Sequence, residues 1–143
     1  LFTLELYQIV TERLKKDGIV IVQSGSASIS ENDVFTSIYN TLNKVFPHVF
    51  PYVTYIPSYA LPWGFCMATH NPSNLDIPGE EIDARINAKI TGNLRFYDSI
   101  THHSLFNLPK YLRTDIQRQR RIIQDKDPLM EHYPGISVES TTP

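Results

Sequence analysis

Cysteine is all but absent from this chain. Cys66 stands alone among 143 residues, so no internal disulfide can form. It lies inside an apolar run with no ligand-type neighbour and reads as a core residue. Charge of one sign is missing too: Lys and Arg number 13 against 15 Asp and Glu, a net charge of −2. That offers no footprint for nucleic acid or for an anionic lipid surface. No apolar run approaches the ~18 residues a membrane span needs, and the first residues do not read as a signal peptide. These absences predict a protein of a reducing, cytoplasmic compartment, with neither nucleic acid nor membrane as partner.

Catalytic signatures are equally sparse. Ser24-Gly25-Ser26 lacks the spaced glycines and the lysine of a phosphate loop, and no G-x-S-x-G elbow occurs. His102 and His103 are adjacent, so on a helix they point about 100° apart and cannot share one ion. His48, His70 and His132 have no Asp, Glu or Cys at ligand spacing, so no metal is expected. What remains is ordinary globular material, 41% apolar and 20% charged, and the length of one domain.

Leu4, Tyr7, Val10 and Leu14 recur at helical spacing, so residues 1–14 read as a helix. A chain that opens without methionine, inside a packed element, is expected to be the later part of a longer protein. Ile19, Val20, Ile21 and Val22 form a β-branched run without alternation, the pattern of a strand buried on both faces. Ser24-Gly25-Ser26 then reads as a turn. A second helix is predicted over residues 31–46, with Ser30 and Asp33 as its capping box, and Pro47 ends it. Residues 52–56 and 64–69 follow as two strands joined by a link too short for a parallel crossover. The fold class is therefore α/β: an open parallel sheet closed by one antiparallel hairpin, with three strands in view. Helices are expected over residues 80–90 and 110–123, with a helical turn over 101–108. From Asp125 the prolines and small polar residues predict a flexible tail.

The link in that hairpin is the most distinctive stretch. Pro57 and Pro62 lack an N–H and fix φ, which predicts a stiff connection outside the ladder. It carries Tyr59, an aromatic with a polar tip, on the kind of loop where sheets present ligand contacts. The alternative is a hairpin whose Tyr59 and Trp63 cap the core. In open α/β sheets ligands bind beyond the carboxyl ends of the parallel strands. The strand over 19–23 delivers Gln23 to that edge, where its amide can donate and accept. Alternatively, Gln23 satisfies loose backbone there.

Several stretches resemble one family. Leu-Lys-Lys-Asp-Gly-Ile-Val-Ile-Val-Gln-Ser-Gly-Ser (residues 14–26) is similar to the fifth-strand region of spermidine and spermine synthases. So are Val-Phe-Pro-His-Val (45–49) and Tyr-Ile-Pro-Ser-Tyr followed by Trp-Gly-Phe (55–65). Leu-Arg-Phe-Tyr-Asp with Leu-Phe-Asn-Leu-Pro (94–109) resembles the family's closing segment, and the likeness runs in register over residues 1–112.

The resemblance implies the C-terminal half of a Rossmann-like, methyltransferase-type sheet, a parallel strand plus an antiparallel terminal hairpin flanked by helices. Residues 1–124 would belong to that domain and 125–143 to the tail. It implies a parent enzyme moving an aminopropyl group from decarboxylated S-adenosylmethionine to a polyamine. The family's catalytic aspartate, glycine-rich donor loop and ribose-binding acid all precede the segment matching Leu1. The chain alone is therefore expected to bind no cofactor, to carry no catalytic residue and to be inactive. Tyr59 matches the tyrosine that lines the amine pocket, and Gln23 matches the strand-end glutamine touching the acceptor. Trp63 falls where the family varies and would shape one wall. Ala60-Leu61-Pro62 departs from the Pro-Ser-Gly common after that tyrosine, which leaves the acceptor open among putrescine, spermidine and related amines. The alternative function is a non-catalytic remnant acting as an assembly or binding module. A strand over 19–22 without one of its neighbours also predicts a homo-oligomer.

Overall fold

A computed structural model describes residues 1–74 and 77–129. Helix α1 (Leu4–Arg13) is capped by Thr3, whose side chain accepts from the Leu6 N–H. Strand β1 (Ile19–Ser26) leads into α2 (Asp33–Leu42), and β2 (His48–Ile56) and β3 (Leu61–Thr69) form a hairpin. Helices α3 (Gly79–Lys89), α4 (Ser99–Phe106) and α5 (Lys110–Arg118) follow. No helix among the described residues is long and apolar enough to cross a membrane.

The sheet has the order β1-β3-β2, and β3 is antiparallel to both neighbours. β1 and β2 therefore run parallel to each other, linked through α2, with the hairpin's return strand inserted between them. This is the predicted α/β architecture, a parallel-running strand beside an antiparallel hairpin. One part of the strand expectation changes. Val20 and Val22 pack on the core, but Ile19 and Ile21 are 39% and 54% exposed. Among the described residues no element covers their face of β1, and no strand pairs with its outer edge.

Two local readings are corrected by long-range pairing. Ser24-Gly25-Ser26 is not a turn but the end of β1: Gln23 faces Phe65 and Gly25 faces Gly64, which leaves Ser24 as the extra residue of a bulge. Gly25 has φ +93° there, a conformation that side chains resist. Likewise Leu61, Pro62 and Trp63 lie inside the ladder, and the connection shrinks to residues 57–60. Pro62 is tolerated because its carbonyl accepts from the Ala27 N–H at 2.9 Å. In an antiparallel ladder both polar groups of a residue point to one side. The missing N–H therefore faces the end of β1, and the pairing with β2 loses nothing.

The helix ends also differ. No capping box forms at α2. Asn32 stands at its N-cap and spends its amide on the Ser28 carbonyl and the Asp115 carboxylate instead. α5 stops at Arg118 rather than near 123, because Gln119 turns extended and its side-chain oxygen takes the N–H groups of Arg120 and Arg121. The chain beyond is stitched to the core: Ile123 donates to Thr41 Oγ1 at 3.0 Å and accepts from the Leu4 N–H at 2.8 Å. Of residues 125–129, counted with the tail, Asp127 is bridged to Gln124 and Leu129 packs on the core. Residues 130–143 lie outside the described ones.

Phe35, Ile38 and Leu42 on α2, Cys66 and Ala68 on β3, Leu112 on α5 and Ile123 are all essentially without exposure. Burial pushes the Cys66 thiol up to about 12. Burial, with Cys66 nearby, also raises Tyr7 well above its ordinary range. Both groups stay neutral in the folded chain at pH values where the unfolded chain would ionise them. Stability should therefore be undiminished below about pH 8.5, the unfolded thiol's range, and decline as pH rises toward 12. The slope is about 1.4 kcal/mol per pH unit for Cys66, with Tyr7 adding to it above about pH 10. Urea midpoints measured across that range check this, and Cys66→Ala should flatten the first part of the decline. A midpoint independent of pH would refute it.

Candidate functional site

At the carboxyl end of β1 the pleat turns Gln23 to the same face as Ile19 and Ile21. The bulge follows immediately. It buries Ser24 completely, with Oγ donating to the Val22 carbonyl at 3.1 Å, and anchors the strand directly behind Gln23. From the hairpin comes Tyr59, closing the short turn Pro57–Tyr59, while Ala60 takes a left-handed φ of 54° with its N–H on the Pro57 carbonyl. Pro57 presets the turn and Ala60 reverses it, so Tyr59 is held out at the tip, 46% exposed. Trp63 lies on β3 opposite Ser26 and Thr54.

These three side chains meet. Gln23 Nε2 donates to Tyr59 Oη at 3.4 Å across 36 residues of sequence. The Tyr59 and Trp63 rings lie 4.5 Å apart between centroids, inclined by 46°. All three line one groove of about 990 Å³, whose floor runs along β1 between α1 and α2. Phe2, Leu6, Val10 and Val34 make most of its walls apolar, and Glu31 and Asp33 also line it. Trp63 Nε1 is buried at its end and has no partner.

Chemically the groove offers a largely apolar trough, with the Glu31 and Asp33 carboxylates on its lining and the neutral Gln23–Tyr59 hydrogen-bonding pair beside an aromatic face. Gln23 keeps its carbonyl oxygen to accept from a ligand, and Tyr59 keeps its O–H to donate. A second, polar hollow lies between α2 and α5, around Asp33, Asp115 and Arg118. Among the described residues no group of three His, Cys, Asp or Glu could hold a metal ion.

The sequence had named Gln23, Tyr59 and Trp63. It had not shown the groove itself, nor the buried Ser24 that anchors the strand. Those depend on how α1 and α2 lie against β1, and the only local trace was the run of small residues at 24–26. His102 does not line this groove; it packs against Tyr97 and Phe106, with its Nδ1 bonded to the Tyr97 hydroxyl at 2.6 Å.

Residues 1–77, which include Gln23, Tyr59 and Trp63, match the family model described as the spermine/spermidine synthase domain. The chain belongs to that family. Among its relatives is a polyamine aminopropyltransferase of Sulfolobus acidocaldarius, 38% identical over 131 residues. Another is polyamine aminopropyltransferase 2 of Hyperthermus butylicus, 40% identical over 129 residues. Each alignment covers 90% of this chain but 42% of the relative, so this spermidine-synthase-family chain spans less than half the relatives' length. The fold agrees with solved spermidine synthases. The Thermotoga maritima structure superposes with a TM-score of 0.69 at 22% identity, over 82% of this chain and 40% of that one. A spermidine synthase in complex with the transition-state analogue AdoDATO gives 0.68 at 24% identity, over 83% and 39%.

Proposed function

We propose that this chain supplies the acceptor-amine side of a polyamine aminopropyltransferase. The observation that carries the reading is the meeting of Gln23, Tyr59 and Trp63 at the head of an apolar groove, all three within the family-matched stretch. The co-substrate is decarboxylated S-adenosylmethionine, and the acceptor is putrescine or a related amine. The acceptor nitrogen's lone pair forms the new C–N bond as the C–S bond of the donor breaks, and a neutral thioether leaves. An alkyl amine with a pKa near ~10.4 is mostly protonated at neutral pH and must shed its proton first.

Gln23 and Tyr59 suit that requirement because neither carries charge. A carboxylate in their place would stabilise the ammonium form. An amide carbonyl and a phenol hold the nitrogen by hydrogen bonds without favouring the unreactive cation. The methylene chain suits the apolar trough, and the Tyr59–Trp63 wall orients it. In this reading the base and the donor-binding loop are supplied from outside this chain, and the chain by itself is expected to perform no transfer.

The test uses a protein of the relatives' length carrying this segment. Tyr59→Phe removes one hydrogen bond, a loss of about 0.5–1.5 kcal/mol, and should lower kcat/KM for the amine by roughly 2- to 10-fold. Gln23→Leu removes both amide contacts and should cost more, while KM for the sulfonium donor stays put. Unchanged amine kinetics in both variants would remove this pair from the site. Trp63 is the only tryptophan of these 143 residues, so in a longer protein whose other tryptophans are replaced its emission should change when polyamine binds at the groove. Transfer by the 143-residue chain alone, well above a buffer blank, would show that the base lies within it.

A further inference from the structure

The pair at the head of the groove is finely balanced. Gln23 Nε2 and Tyr59 Oη stand 3.4 Å apart, against about 2.9–3.0 Å for a typical N–H···O bond. A few tenths of an ångström at Gln23 therefore decide whether it forms. Gln23 borders the bulge that interrupts the β1–β3 ladder. It lies opposite Phe65, and Ser26 lies opposite Trp63, two residues of β3 that share a face. Regular alternation would send Gln23 and Ser26 to opposite faces, and the extra residue Ser24 makes up the difference. A bulge also bends its strand and re-aims the neighbouring side chain. Here the bend is stapled: Ser24 Oγ donates to the Val22 carbonyl at 3.1 Å, from one side of Gln23 to the other. The small ring so closed has the Gln23 backbone as its middle. Val22, on one flank, pairs with Cys66 and packs on the core. Ser24, on the other, has no exposure, so its hydroxyl is not offered to a ligand.

We infer that Ser24 is a positioning residue for the acceptor amine: its bond to the Val22 carbonyl sets the aim of Gln23, and through it the Gln23–Tyr59 pair. The inference rests on the acceptor-site reading above. The staple fixes where the Cα–Cβ bond of Gln23 points, and the Tyr59 contact then selects the rotamer. An incoming amine so meets an amide that is already ordered, and less of its binding free energy goes into ordering one. Ser24 touches no reacting atom, so its effect falls on the amine side alone and only while Gln23 is present.

The test uses a protein of the relatives' length carrying this segment, with amine and donor kinetics measured separately. Ser24→Ala removes the hydroxyl and little volume. It should lower kcat/KM for the amine roughly 2- to 10-fold while KM for the sulfonium donor stays put. In a Gln23→Leu background the same change should cost less than about 2-fold, because the group it aims is gone. Thr41→Val is the stability control. It deletes another fully buried hydroxyl, one bonded to the Ser37 carbonyl at 2.7 Å and on no wall of the groove. That variant should lower the thermal midpoint with amine kinetics unchanged. With 15N-labelled glutamine, the Gln23 side-chain amide signals are identified by their loss in Gln23→Leu. They should move in Ser24→Ala, in the direction they take in Tyr59→Phe. Unmoved signals, or unchanged amine kinetics in Ser24→Ala, would overturn the inference and leave the acceptor site standing. So would a Ser24→Ala loss as large in the Gln23→Leu background, or an equal loss in Thr41→Val. Should Gln23→Leu itself leave amine kinetics unchanged, the acceptor-site reading fails and takes this inference with it.

Discussion

Phe35→Ala is expected to lower the unfolding free energy by about 3–5 kcal/mol, the usual range for emptying a fully buried aromatic site. The residue has no exposure and sits on α2, under the hairpin strand that joins the two halves of the sheet. Its ring lies where a Cβ on Gly64 would be, so the ring fills the room that glycine leaves. Removing it opens a cavity between helix and sheet that neither can collapse into without bending β3. Against a total stability of about 5–15 kcal/mol for a domain, the variant should show a thermal midpoint many degrees lower. Chemical denaturation with an unchanged m-value checks this. A loss below about 1 kcal/mol would mean that the ring is not a packing element. Trp63 neighbours Gly64 in sequence, so the same variant should also shift the tryptophan emission.

Gly64→Ala tests the same contact from the other side. A methyl there would come within 2.6–2.9 Å of three carbons of the Phe35 ring, closer than such atoms approach. The ring is walled in by the core and cannot swing away. The strand cannot retreat either, because Gly64 is paired on both sides, with Gly25 and with Val53. Overpacking of this kind costs about 1–3 kcal/mol. The pair should be strongly non-additive: Phe35→Leu frees the space, so the double variant should be more stable than the sum of the two singles by about 0.5–3 kcal/mol. A double-mutant cycle that closes to zero would refute the contact.

Where the sequence misled, a long-range partner had the last word. Ser24-Gly25-Ser26 has the composition of a turn, yet β3 lies alongside and captures it as the bulged end of a strand. Pro62 has the chemistry of a loop residue, yet it sits in the ladder because its bare nitrogen faces the place where β1 has ended. Ser30 and Asp33 have the spacing of a capping box, but Asn32 holds the cap position and answers to Asp115, 83 residues away. Ile19 and Ile21 read as buried because their side-chain pattern is that of a doubly covered strand. Their exposure depends on what packs beside them.

What the residues determine unaided is the local grammar. The periodic apolar positions make the helices, the β-branched run makes β1, and the short proline-bearing link makes an antiparallel hairpin. The order β1-β3-β2 was decided only in three dimensions, and with it the meeting of Gln23 and Tyr59 across 36 residues. The physical reason is range. Propensity, capping and turn chemistry act over a few residues, whereas strand order is chosen by the burial of whole faces, and two side chains from different elements converge only after that choice is made.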